Sequence, residues 1–221
     1  MKKTFTLLAL AVFSIAVKAQ NAVPAYEPYG KVDKEDLELK ACDFEKDANA
    51  EVLFDKGDIY FDMSLRIVME RHKRIKIFND NGKDAANIRI EFYSNEKYEY
   101  VEGLQAETIN LTDGKVEITK LDKKQVYTQD IDKYRSAIVF SMPNVKAGSV
   151  IEYKYTWDTV DPDNMPTWYF QEGIPVRYSE LDTDIPEYFA YSAKTNTLSP
   201  YTQDVRSVGS GNIIVDQKGI D

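Results

Sequence analysis

Cysteine and histidine are almost missing from these 221 residues, with Cys42 and His72 their sole representatives. A single cysteine forbids an internal disulfide, so stability must come from the core. One of each also leaves at most two nitrogen or sulfur ligands for a metal, short of the common zinc sites. Positive charge is the second shortage: 28 Lys+Arg stand against 37 Asp+Glu, a net charge of −9. That excess repels phosphate backbones, which argues against nucleic acid and against anionic membrane surfaces. Long apolar runs are the third. The one present, Thr4 to Val17, has 14 residues, and a spanning helix needs about 20. No second run of that length follows, so no membrane span is expected. Helical periodicity is the last shortage: no pattern exceeds about two turns, and there is no internal repeat.

The apolar run does have a role. Lys2 and Lys3 precede it as a positive n-region, and Val17-Lys18-Ala19 places small or modest side chains where a signal peptidase reads. Residues 1–19 are therefore expected to be a cleavable signal peptide, with Gln20 first in the mature chain. The protein is expected to be exported, to the periplasm or beyond. Cleavage removes three lysines, leaving 202 residues and a net charge of about −12.

Residues 20–31 (QNAVPAYEPYGK) read as an extended leader and Asp33 to Lys40 as one short helical turn capped by Asp33. From about Glu51 the pattern is strand after strand. Tyr60 to Phe78 alternates through Ile59, Phe61, Met63, Leu65, Ile67, Met69, Ile75 and Ile77, which predicts one long or bent strand. Asn79-Asp80-Asn81-Gly82 is a turn, and Ile88, Ile90 and Phe92 alternate again. Thr112-Asp113-Gly114 joins two strands as a hairpin. Ala137 to Met142 and Ser149 to Trp157 are two more. After the acidic loop Asp158 to Pro166, short strands are expected at Trp168 to Phe170, Ile174 to Tyr178 and Tyr188 to Ser192. A weak pair follows at Val205 to Val215. So many short strands imply an all-β fold, an antiparallel β-sandwich, with residues 32–221 as the domain. The abrupt end at Gly219-Ile220-Asp221 suggests truncation at the C-terminal edge.

Several stretches also carry a resemblance. They are Glu70 to Phe78 followed by Asn81-Gly82; Asn110 to Lys115 continuing to Thr119-Lys120-Leu121; Phe140 to Tyr153; Trp168 to Gln171; and Ile174-Pro175-Val176 with Ile185 to Phe189. Together they resemble the domain of unknown function that precedes the transglutaminase-like core in exported bacterial proteins. The resemblance covers roughly residues 32–195. It implies a β-sandwich with no catalytic residue of its own, the cysteine, histidine and aspartate belonging to a later core that nothing here matches. The expected role is a non-catalytic accessory module that braces a downstream transglutaminase-like domain or presents substrate to it. The alternative is a stand-alone periplasmic module that binds a peptide or a glycan.

Site candidates are few. Cys42, His72 and Asp80 stand in the chain order of a thiol triad, but acidic Asp43 beside Cys42 raises a thiol's pKa, so an incidental cysteine and a structural histidine are expected. Asp158, Asp161, Asp163 and Asn164 offer calcium-type oxygens in no recognised order, and a solvated loop is expected. The aromatic cluster Tyr153, Tyr155, Trp157, Trp168, Tyr169 and Phe170 is expected to be mostly core. Within it, Trp157, Trp168 and Tyr169 are the candidate ligand-binding residues. Asn110-Leu111-Thr112 fits a glycosylation sequon that reads instead as a hairpin. Arg71, Lys73, Arg74 and Lys76 are expected to form a solvated basic strip. No cofactor and no metal is expected.

Overall fold

The computed structural model describes residues 28–186, 188, 189, 191, 194 and 196, and the backbone of 201–208 and 212–219. The signal segment 1–19 and residues 20–27 of the leader lie outside the described residues. Among the described residues one short α-helix, α1 (Lys34–Glu38), precedes eleven strands: β1 (Ala50–Phe61), β2 (Ile67–Ile77), β3 (Asn87–Tyr93), β4 (Glu99–Thr112), β5 (Lys115–Lys120), β6 (Tyr127–Asp130), β7 (Arg135–Ser141), β8 (Val150–Thr159), β9 (Ser179–Ile185), β10 (Tyr201–Val208) and β11 (Asn212–Gly219). They form an eight-stranded sheet ordered β10-β11-β9-β1-β2-β8-β4-β5 and a three-stranded sheet ordered β3-β7-β6. The fold is all-β, and pairing is antiparallel except between β1 and β9.

The core lies between the sheets. Ile67, Met69, Ile75 and Ile77 of β2 and Ile151, Tyr153, Tyr155 and Trp157 of β8 pack with Ile88, Ile90, Phe140 and Met142 from the side of the small sheet. Each such burial contributes about 1.5–3 kcal/mol. A smaller apolar cluster sits on the opposite face of the large sheet, where Leu37 of α1 covers Ile109 and Val150.

The expected long strand across Tyr60 to Phe78 is two strands. Alternation continues through Met63 and Leu65, but Asp62 breaks the ladder. Its carboxylate accepts from the backbone N–H groups of Ser64 (2.8 Å) and Arg66 (3.0 Å), and Leu65 takes a left-handed φ of 62°. An aspartate that bonds the backbone two residues on makes a turn, and periodicity alone could not see it. The other hairpin follows its expectation: Asp113 and Gly114 both have positive φ, 50° and 74°, as a two-residue connection of the primed type needs. Asp33 precedes α1 without a side-chain cap bond. Residues 28–31 are not extended but turn at Tyr29-Gly30, with the Lys31 N–H donating to the Pro28 carbonyl at 3.0 Å. Trp168 to Phe170 forms no strand. Ile174 to Tyr178 makes only a parallel bridge at Val176 to Val52. Tyr188 and Phe189 also lie outside any strand. The pair around Gly209-Ser210-Gly211 forms as β10 and β11.

Candidate functional site

Successive side chains of a strand point to opposite faces, so the basic run of β2 is split in two. On the core side, registration aligns Asp55, Lys73 and Tyr153 across β1, β2 and β8, and beside them Gly57, Arg71 and Tyr155. Asp55 and Lys73 are buried, 1 % and 3 % exposed. The Arg71 guanidinium forks onto Asp55, Nε reaching Oδ1 at 2.8 Å. Lys73 Nζ lies 3.3 Å from Asp55 and donates to Glu172. Glu172 is also 3.7 Å from Arg71. Burial works against the charge on Arg71, but the Asp55 carboxylate overrides it and holds the guanidinium well above its ordinary pKa. Burial pushes the Tyr155 phenol up, and Arg71 works against that rise.

Trp168 closes this strip. Its ring lies under the Arg71 guanidinium, 4.6 Å from carbon to centroid, and its Nε1 donates to Ser179 Oγ at 3.0 Å. A Cβ on Gly57 would stand 2.6 Å from the indole, so only glycine lets the ring settle there. Trp168 comes from residues 160–178, which form no named strand or helix.

The other face of β2 carries His72, Arg74 and Lys76 beneath residues 28–38. Arg74 donates to the Lys31 carbonyl and lies 3.3 Å from both Asp36 and Glu152. His72 Nε2 bonds Glu152 Oε1. Lys76 Nζ donates to the Leu37 and Gly148 carbonyls, each at 2.8 Å. Burial, with Lys40 adding repulsion, pushes the Lys76 ammonium down to about 8. Glu107 stands opposite Glu152 across the β4–β8 ladder, and burial followed by Glu152 raises its carboxyl. The expected solvated basic strip is thus a correction: Lys73, Arg74 and Lys76 are buried, Arg71 is partly so, and all four are partnered.

A family model described as a domain of unknown function with a solved structure, DUF3857, matches residues 64–213. The chain belongs to the DUF3857 family. That match takes in β2 to β10 entire and reaches into β11. No curated protein matches this DUF3857 chain. Among solved structures it is similar to a protein of Parabacteroides distasonis ATCC 8503, provisionally designated a protease, with TM-score 0.57 and 14% identity over 77% of this chain and 35% of that one. At that identity the likeness concerns the fold alone, and this chain spans about a third of that protein. Yeast LTA4 hydrolase in complex with bestatin also matches, with TM-score 0.38 and 11% identity over 77% of this chain and 29% of that one, a score too low to carry an argument.

In this chain the triad candidates part company, and Cys42 lies ahead of the DUF3857 match. Cys42 is buried beside Asp43 and Glu51, and burial pushes its thiol up. His72 belongs to Glu152, and Asp80 pairs with Lys83 at 2.7 Å. Donor atoms of Cys42, Asp43 and Glu51 lie within 4.8 Å of one another, a spacing that a metal could use. Arg177 already bridges the two carboxylates, at 2.6 Å and 2.5 Å. Of the oxygen-rich loop, Asp158 is buried in β8 against Arg66 at 2.9 Å, Asp161 accepts from the Asp163 N–H, and Asn164 turns to Glu99. Asn110 is buried in β4, bonded to Ser149 and the Asn144 carbonyl.

The three aromatic candidates are not one surface. Trp157 is a core residue whose Nε1 donates to Glu99 at 3.1 Å. Trp168 is half-buried over the charged strip, and Tyr169 is 69 % exposed. The sequence reading missed Asp55 and Glu172. Asp55 had a signal, an acid on the inward parity of β1, but a register shift between Val52 and Phe54 resets that parity. Glu172 has no local signal.

Proposed function

We propose that this DUF3857 chain is the non-catalytic accessory module of an exported transglutaminase-like protein, bracing a catalytic core or presenting substrate to it. The observation that carries the reading is the fold shared with a larger protein provisionally designated a protease, of which this chain spans 35%. Support comes also from the internal use of the reactive side chains: His72 is bound to Glu152, and the acids beside Cys42 are bound to Arg177. A buried thiol of raised pKa is a poor nucleophile. The coding sequence past codon 221 tests the reading. An in-frame core carrying cysteine, histidine and aspartate supports it. A stop codon directly after Asp221 overturns it in favour of a stand-alone peptide- or glycan-binding module, for which exposed Tyr169 beside Trp168 speaks. Export is tested separately, by mass analysis of the N-terminus from the periplasmic fraction. The expected first residue is Gln20, and a chain that retains Met1 and is absent from the periplasmic fraction would refute export.

A further inference from the structure

We propose that the Arg71–Lys73 pair is a binding site for an external carboxylate, and that Glu172 holds that place in this structure. The inference goes beyond the accessory reading and stands whether or not a catalytic core is attached.

The argument begins with charge. Asp55 neutralises one of the two cations. Without Glu172 the strip would keep one uncompensated positive charge beside Lys73, which is 3 % exposed, and an unpaired buried charge is costly. The site therefore demands an anion. Its geometry accepts a carboxylate, because Lys73 Nζ and Arg71 Nη2 both face one carboxylate oxygen, Glu172 Oε1, while the Arg71 fork itself stays on Asp55. The Trp168 ring supplies a flat wall for the body that bears it.

Glu172 is a replaceable occupant. Its side chain is 30 % exposed, against 2 % for Asp55. Among the described residues, no backbone hydrogen bond ties down residues 165–174. Side chains hold that stretch: Met165, Trp168 and Ile174 pack against the core, and the Trp168 Nε1 donates to Ser179 Oγ. A Cβ on the neighbouring Gly173 would meet nothing within 4 Å, so the chain has room to move. The partner class is a peptide carboxylate, from an acidic side chain or a C-terminus.

The test uses the purified full chain, with Trp168 fluorescence and its indole N–H resonance as readouts. Glu172→Ala should bind propionate saturably, about tenfold tighter than wild type, because in wild type the occupant must first leave. Its melting temperature should rise in propionate and not in chloride of equal ionic strength. Adding Lys73→Met should abolish both effects. N-acetylglutamate α-amide and N-acetylglycine then distinguish a side-chain source from a terminal one. Glu172→Gln, which keeps the shape and loses the charge, guards against a folding defect. If both variants fail to fold, refolding in propionate must rescue Glu172→Ala. A folded variant with no saturable response, a response equal to that in chloride, or no rescue overturns the proposal.

Discussion

The two faces of β2 solve one problem in different ways. Each buries cations that need neutralising. On the outer face Arg74 and Lys76 reach backbone carbonyls, of Lys31 and of Leu37, as well as the Glu152 and Asp36 carboxylates. On the inner face Arg71 and Lys73 reach side chains only, those of Asp55 and Glu172. A backbone carbonyl comes with its chain, so the outer cation can be uncovered only by lifting the segment. A side-chain carboxylate can swing away alone. The outer cluster therefore reads as permanent construction, and the inner one as a place where an occupant can change.

The largest expected effect breaks that contrast or upholds it. Glu152→Ala leaves Arg74 buried without its partner on β8, and should lose about 3–5 kcal/mol in denaturant unfolding. Glu172→Ala should lose less, about 1–3 kcal/mol: Lys73 is left with Asp55 alone, but the opening that exposes the Glu172 carboxylate admits water or an anion in its place. Equal losses from the two variants would erase the distinction between the faces.

A middle-sized effect isolates the lid of the inner strip. Gly57→Ala puts a methyl where the indole of Trp168 lies, 2.6 Å away. Overpacking of this kind costs about 1–3 kcal/mol. Tryptophan emission should shift to the red as Trp168 lifts, while amide exchange in residues 31–38 stays as in wild type. An unmoved emission maximum would mean that Trp168 is not seated on Gly57.

Much of this architecture was readable in the sequence. Alternating apolar residues located β3, apolar runs either side of Pro143-Asn144 and Gly148 located β7 and β8, and Asp113-Gly114 announced its hairpin through turn chemistry. Two-residue alternation cannot say where a run of strand is interrupted, so the Asp62 turn was missed. The strong aromatic character of Trp168 to Phe170 suggested a strand where there is none, because aromatics serve a packed loop as well as a sheet. The charged strip was least legible. Arg71, Lys73, Arg74 and Lys76 look solvated in a linear reading, and only tertiary registration supplies Asp55 from β1 and Glu172 from a segment about a hundred residues on. Ion pairing between distant residues leaves no local pattern.

The smallest effect concerns pH on the outer face. Lys76, pushed down to about 8 by burial, is a base whose folded pKa lies below its unfolded one of about 10.4. Below pH 8 both states hold the proton, and the penalty for burying the ammonium is felt in full. Between about 8 and 10.4 the folded state releases the proton while the unfolded chain keeps it, so this group's contribution to stability rises with pH. Above that window both states are neutral and the contribution is flat. The stability of wild type relative to Lys76→Met should climb by something on the order of 1 kcal/mol across the window. The reference variant cancels every other titrating group, and it also forfeits the bonds to the Leu37 and Gly148 carbonyls, which shifts the whole curve without tilting it. A flat difference from pH 7 to pH 10 would show that the ammonium is not desolvated, and that residues 28–38 cover it less tightly than the carbonyl bonds imply. A rise confined to that window, with the Lys76 side-chain resonance titrating near 8, would fix the outer face as the closed one of the pair.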